Sequence, residues 1–227
     1  MRIKVLSWNI WLDGDLDTVI DFVRESDADI IGMQEVIPER QPNVLESLAA
    51  LGYKNVFSSV MKSRRRGLQI GNAILSKYPI QKSVEHVLSE TERRTALQAD
   101  IIIENTTLYV FNTHLLHTHQ KQSDTQDLQV ANLLKLLSRE KTIVMGDFNA
   151  TPESSVIQRM ESVLNNCDPN GTPTWSTDPR GCKTCAPQAI DTRLDYIFAS
   201  KDLKTHSPAV LASNASDHLP ISVTIEL

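Results

Sequence analysis

The feature that most constrains the fold of this chain is a strand ending that repeats. Short apolar runs stop, one after another, on an amide, a carboxylate or a histidine: Ser7-Trp8-Asn9, Met33-Gln34-Glu35, Asn112-Thr113-His114, Gly146-Asp147-Phe148-Asn149, Leu194-Asp195-Tyr196 and Ser216-Asp217-His218. A carboxylate is costly to bury unless it is paired or bound to a metal. Six such endings in 227 residues imply one shared polar site.

The stretches between these endings alternate in type. Ile3 to Ile10 reads as a strand; Leu16, Val19, Ile20 and Val23 recur at helical spacing, with Asp13 or Asp15 as N-cap; Ile30 to Glu35 is again a strand. Val44, Leu45, Leu48 and Leu51 mark a second helix that Gly52 would end. From Asn55 to Leu115 the pattern is β, with strands expected over 56–60, 71–76, 80–88, 96–104 and 108–115. Leu128, Ala131, Leu134 and Leu137 restore helical spacing, Thr142 to Asp147 suits a buried strand, and Thr151-Pro152-Glu153 opens a further helix. After an irregular stretch over 165–189, strands return at 193–199, 203–211 and 219–227. Strand and helix alternate in both halves, which predicts an α/β fold of two packed mixed β-sheets flanked by helices, in one domain over 1–227.

Composition narrows the function classes. With 41% hydrophobic and 22% charged residues the chain can bury a sizeable core. Its formal charge of -5 argues against coating nucleic acid or an anionic membrane through an overall field, but leaves room for a local basic groove. Lys62-Ser63-Arg64-Arg65-Arg66 could steer a polyanion, the alternative being a solvated loop. Cys167, Cys182 and Cys185 are an odd set, as in a reducing compartment. Cys182 and Cys185 form a C-x-x-C without a second pair, leaving only Cys167 and His206 in reach to complete a zinc site. The N-terminal run is too polar and too short for a signal peptide, and no segment has transmembrane length, so a cytoplasmic protein without membrane insertion is expected.

The donor types at the strand ends point to one chemistry. Oxygens from Asn9, Glu35, Asp147 and Asp217 suit Mg²⁺ or Mn²⁺ better than zinc. A hard cation beside His and Asp acid/base candidates is what displacement at a phosphate requires. Taken singly, Gly146-Asp147-Phe148-Asn149 could be a turn and Ser216-Asp217-His218 a cap before the last strand. Their common order and strand context weigh against coincidence.

Together, Trp8-Asn9-Ile10, Met33-Gln34-Glu35-Val36, Gly71-Asn72-Ala73-Ile74-Leu75-Ser76, Asn112-Thr113-His114-Leu115, Gly146-Asp147-Phe148-Asn149, Arg193-Leu194-Asp195-Tyr196-Ile197-Phe198 and Ser216-Asp217-His218-Leu219-Pro220 resemble the ordered signature of the endonuclease/exonuclease/phosphatase superfamily, from Ser7 to Pro220. The resemblance implies a four-layer α/β sandwich of the DNase I-like kind and metal-dependent phosphoester hydrolysis. It implies Glu35 as the principal metal ligand, supported by Asn9 and Asp217, and His218 facing the scissile phosphate with its tautomer fixed by Asp195. Asp147 and Asn149 would lie beside the phosphate, and His114 would donate to a phosphate oxygen. The activated water is assigned to the His218/Asp195 pair, with Asp147 the alternative base, because coupled groups near a metal titrate according to geometry. Arg94 stands where similar sequences carry one arginine, and its guanidinium suits a phosphate, the other reading being a surface charge.

The superfamily includes nucleases, tyrosyl-DNA phosphodiesterases, sphingomyelinases and inositol-phosphate phosphatases. Gln34-Glu35-Val36-Ile37-Pro38 and Thr174-Trp175-Ser176-Thr177 resemble the tyrosyl-DNA phosphodiesterase branch, so a phosphodiester of DNA or RNA is the expected substrate, cleaved by a monomer. A small or lipid phosphoester is the alternative; against a sphingomyelinase stands the absence of an aromatic hairpin for entering a bilayer. Only 5% of residues are aromatic, leaving few stacking platforms, of which Trp175 is the loop candidate for substrate contact or for the core. A non-catalytic phosphate-binding module would be expected to have lost a ligand or the His/Asp pair, and none has been replaced.

Overall fold

Two strand–helix–strand units, one in each half, organise the chain. In the first, β1 (Arg2–Asn9) and β2 (Ile30–Val36) are parallel and joined by α1 (Leu16–Ser26). In the second, β7 (Thr106–His114) and β8 (Thr142–Asp147) are parallel and joined by α3 (Asp124–Leu134). Between them come α2 (Val44–Ala50), β3 (Lys54–Lys62), β4 (Gln69–Ser76), β5 (Ile80–Ser89) and β6 (Arg94–Ile103); after them come α4 (Ser155–Val163), β9 (Asn165–Asn166), β10 (Asp195–Ala199), β11 (Lys204–Val210) and β12 (Ile221–Glu226). This computed structural model describes residues 1–62, 67–137, 140–176 and 190–227. The basic run over 63–66 and the Cys182/Cys185 pair lie outside the described residues.

The strands form two six-stranded mixed sheets, ordered β11-β12-β1-β2-β4-β3 and β5-β6-β7-β8-β10-β9. Three apolar clusters fill the gaps between four layers. Ile3, Val5 and Ile30 of one sheet meet Leu97, Val110 and Met145 of the other in the central layer. Leu6, Trp8 and Met33 point outward onto Val19, Val23 and Leu48 of α1 and α2. Phe111, Val144 and Phe198 point outward onto Val130, Val156 and Met160 of α3 and α4. An 11-residue helix such as α1 is marginal alone. Burying Leu16, Val19, Ile20 and Val23, at about 1.5–3 kcal/mol each, is what holds it. Asp15, not Asp13, caps α1, its side chain accepting from the Thr18 amide.

Two helix expectations are corrected. Leu128 is 50% exposed, and α3 instead turns Gln126, Gln129, Val130 and Leu133 inward. The physical reason lies in the loops beneath: Gln126 Nε2 donates to the carbonyls of Leu116, Phe148 and Asn149, and Gln129 accepts from the Leu116 amide and donates to Ser89. Backbone groups buried at strand ends need partners, and α3 supplies them. The helix expected to open at Thr151-Pro152-Glu153 begins later: Thr151 accepts from the Ser154 amide in a turn, and Ser154 is the N-cap of α4. The stretch taken as irregular from Asn165 also begins with β9, two residues paired to β10. No helix among the described residues is long and apolar enough to cross a membrane.

A candidate active site at the strand ends

Parallel pairing sets the site. Asn9 and Gln34 are register partners at the ends of β1 and β2, His114 and Asp147 at the ends of β7 and β8, and Asp195 at the start of antiparallel β10 pairs with Asp147. The two sheets meet here: Asn9 Nδ2 donates to Glu35 Oε1 at 3.2 Å and across the sandwich to Asp147 Oδ2 at 3.0 Å. The Asn9 Oδ1 accepts from the Trp11 amide at 3.0 Å.

Glu35 reaches this edge through a break in strand alternation. It shares parity with Met33, which packs outward against α1 and α2. The register between β2 and β4 slips between Met33/Ala73 and Val36/Gly71, and Glu35 adopts φ 60°. Bulges of this kind re-aim a side chain. Asn112 of the opposite sheet braces the slip, its Nδ2 donating at 2.8 Å to both Met33 O and Ala73 O while Gln34 Nε2 donates to its Oδ1 at 2.6 Å. Glu35 Oε2 accepts from the Leu12 amide at 2.9 Å. Burial, and the charge of Asp217, raise the Glu35 carboxyl above its ordinary range.

Asp147 sits at the centre. Its Oδ1 accepts from the Asn149 amide at 2.8 Å; its Oδ2 lies 3.4 Å from His114 Nε2 and 3.7 Å from His218 Nε2. Asn149, at φ 49°, donates from Nδ2 to Leu115 O and to Asp147 Oδ2. The preceding Gly146 has φ 145°, and a Cβ there would stand 1.9 Å from Thr113 O, so only glycine lets β8 approach β7 this closely before the turn. Burial, reinforced by Asp195, raises the Asp147 carboxyl well above the usual range.

His218 is held from both sides. Its Nδ1 donates to Asp195 Oδ2 at 2.9 Å, its carbonyl accepts from Trp8 Nε1 at 2.9 Å, and its amide donates to Ser216 Oγ. Asp195 is itself fixed by the Thr174 hydroxyl at 2.6 Å. Burial opposes charge on the imidazole, but the carboxylates of Asp195 and Asp147 outweigh it and raise its pKa. His114, by contrast, is lowered well below its ordinary value by burial and then by Arg94. Burial also raises Asp217, whose Oδ2 accepts from Trp175 Nε1 at 3.3 Å.

Arg94 is 9% exposed, yet among the described residues its guanidinium has no hydrogen bond or ion pair, and its Nε is buried without a partner. It lines a cavity of about 390 Å³ together with Glu35, His114, Asp147, Asn149, Trp175, Asp217 and His218. Asn9 and Asp195 stand directly behind this cavity, in contact with residues that line it. All ten residues singled out in the sequence are therefore brought to one place.

Other residues at the site escaped sequence reasoning. His117 Nδ1 donates to Asn149 Oδ1 at 2.7 Å and fixes that amide, with His119 3.2 Å beyond. The spacing His114-x-x-His117-x-His119 was the available signal. Thr174 stood in the sequence only as the first residue of the Thr174–Thr177 resemblance, which gave it no role of its own.

The model of the family described as the Endonuclease/Exonuclease/phosphatase family matches residues 6–218. No curated protein matches the chain in sequence. Solved structures share its fold at low identity. The human Nocturnin catalytic domain with bound sulfate superposes with a TM-score of 0.80 at 22% identity, covering 99% of this chain and 93% of that one. Zebrafish (D. rerio) TDP2 complexed with a single-strand DNA product gives 0.76 at 18%, covering 100% and 99%. The mannosyl-6-phosphatase Bt3783 of Bacteroides thetaiotaomicron gives 0.74 at 18%, covering 99% and 100%.

Proposed function

The chain belongs to the endonuclease/exonuclease/phosphatase family, a family of phosphoesterases, and on that premise we propose that it hydrolyses phosphoesters with a divalent cation at the strand-end site. The observation that carries this reading is the buried, unpartnered Arg94 guanidinium in a cavity that Glu35, Asp147 and Asp217 also line. A desolvated cation without a partner is expensive. A phosphate group in the cavity would supply the missing acceptors, in the bidentate geometry that guanidinium favours.

The donor set fits a hard cation. Glu35, Asp147 and Asp217 are all raised by burial, and Asp195 Oδ1 is buried without a hydrogen-bond partner. Negative charge is thus in excess where a positive ion would relieve it. One ligand atom from each of Asp147, Asp195 and His218 lies within 4.8 Å of the others, a buried group able to take a metal. His218 and Asp195 are already committed to each other, so the oxygen-rich edge at Glu35 and Asp217, with Asn9, is where Mg²⁺ or Mn²⁺ would be held. When bound, the cation neutralises charge on the non-bridging phosphate oxygens.

The protein groups then divide the work. Arg94 and His114 bind the phosphate, and Asn149, held by His117, orients it. Asp147, with Oδ1 fixed by the Asn149 amide, orients the attacking water and takes its proton as the P–O bond to the leaving group breaks, the departing oxygen being protonated from solvent. His218, flanked by two carboxylates that favour the imidazolium, donates to a phosphate oxygen and stabilises the charge that builds there. The surroundings therefore favour Asp147 over the His218/Asp195 pair as the base.

The test is hydrolysis of bis-p-nitrophenyl phosphate, p-nitrophenyl phosphate and a fluorescent DNA oligonucleotide with Mg²⁺, Mn²⁺ or EDTA, using wild type, Glu35→Ala and Asp147→Ala. Metal-dependent turnover lost in both variants is expected. Turnover that survives EDTA or either substitution would refute the assignment. A nucleic-acid phosphodiester is the substrate placed first, as the motifs around Glu35 and Trp175 suggest. Cleavage of the oligonucleotide should then fall steeply with salt, whereas a flat response would favour a small phosphoester.

A further inference from the structure

The cavity that holds the polar site has a second wall of different chemistry. Besides the carboxylates, its lining includes Val60, Met61 and Ile70 of the β3–β4 pair, with Trp11 and Trp175. Val60 and Met61 are consecutive, and on a regular strand their side chains would face opposite ways. The β3–β4 register slips between Ser59/Gly71 and Met61/Ile70, and this bulge lets both side chains line one cavity. Close strand approach at the slip depends on Gly71, where a Cβ would stand 1.9 Å from Ser58 O. Met61, 43% exposed, is an apolar side chain left at the mouth, and the thioether adapts to flat or irregular apolar partners.

Resting on the phosphoesterase reading above, we propose that this wall receives a flat, apolar part of the substrate, such as an aryl ring or the heterocyclic base of a nucleotide, in preference to a sugar or a polyol. The volume supports a compact ligand: about 390 Å³ is at the small end of ligand cavities and accepts a phosphate plus one ring system. The polarity supports it too. Arg94 and His114 complement the anionic end, while Val60, Met61 and Ile70 offer no hydrogen bond from their side chains to a hydroxyl-rich group. Hydroxyls seated against these three side chains would be desolvated without a partner from them.

Binding of phenylphosphonate, methylphosphonate and glycerol 3-phosphate to the full chain with Mn²⁺ tests this, by competition against bis-p-nitrophenyl phosphate and by calorimetric titration. Phenylphosphonate should bind at least about tenfold more tightly than the other two, the discrimination an apolar pocket gives a larger apolar group. In Met61→Ser, exposed enough to leave folding intact, and in Val60→Thr, close in size, the phenyl-to-methyl ratio should shrink toward one. Equal affinities in wild type, or a ratio unchanged in both variants, would overturn the proposal. If turnover is found without any phenyl preference, the wall fails and the catalytic reading stands. If calorimetry shows no phosphonate binding and nothing is turned over, both fall.

Discussion

Asn112 is the residue whose replacement should reveal how Glu35 is positioned. It touches no substrate-lining group, lying buried between the sheets with its amide bridging Met33 O and Ala73 O and receiving Gln34 Nε2. Asn112→Ala strips a partner from three buried polar groups. Each such loss costs about 1–3 kcal/mol, and because Gln34 Nε2 retains Ser7 Oγ at 3.3 Å the lower part of the sum applies, about 3–5 kcal/mol. Against a total stability of about 5–15 kcal/mol this is a large fraction, and at about 2–4 °C per kcal/mol for a chain of this size it corresponds to a fall in Tm of about 6–20 °C. Asn112→Leu fills the space without restoring a donor, and should lose nearly as much. Released from its brace, the β2–β4 slip relaxes and Glu35 leaves the site, so Mn²⁺ affinity should fall at least about tenfold at a temperature where the variant is still folded. Urea denaturation and Mn²⁺ titration followed by electron paramagnetic resonance read the two effects separately. A loss below about 1 kcal/mol would refute the buried-polar reasoning, and unchanged Mn²⁺ affinity in a destabilised variant would refute the positioning role.

Four further outcomes are expected. Arg94→Lys should lower kcat/KM by about 100-fold while leaving Tm unchanged or higher, since the guanidinium satisfies nothing in the unliganded fold; a drop in Tm with activity intact would contradict this. Asp195→Asn should cut kcat by at least about 100-fold with little change in KM, because it unlocks the His218 tautomer, and steady-state kinetics showing a KM effect alone would argue otherwise. The metal-free protein should lose stability as pH rises above 6.5, the ordinary histidine value. Glu35, Asp147 and Asp217 are raised by burial and His218 by its two carboxylates, so the native state holds these protons more tightly than the unfolded chain; His114, lowered by burial, acts in the opposite sense only below pH 6.5. Thermal scans in EDTA should fall across this range and flatten with Mn²⁺, and a flat or rising profile in EDTA would refute it. Cys167 is buried, with its thiol pushed up to about 12 by burial. In a chain with Cys182→Ser and Cys185→Ser it should react with a thiol reagent only on unfolding, and rapid labelling of the native protein would count against that environment.

The sequence alone pointed to ten of the residues that meet, though not to His117 or Thr174. Asn9, His114 and Asp147 end apolar strands whose polarity break is local and therefore visible, and alternating strands with helical runs between them specify a layered α/β sandwich. Its limits appear where a neighbour out of register decides the outcome. The helical spacing of α3 put Leu128 inward; the unsatisfied carbonyls of Leu116, Phe148 and Asn149, distant in sequence, turned Gln126 inward instead. Parity puts Glu35 with the outward Met33; a register slip braced from the opposite sheet by Asn112 brings it to the site. The apolar wall depends likewise on a bulge that allows Val60 and Met61 to face the same way. Periodicity records the average environment along a strand or helix, whereas a bulge, a brace or a carbonyl needing a donor is settled by a single contact across the fold, which only the packed structure supplies.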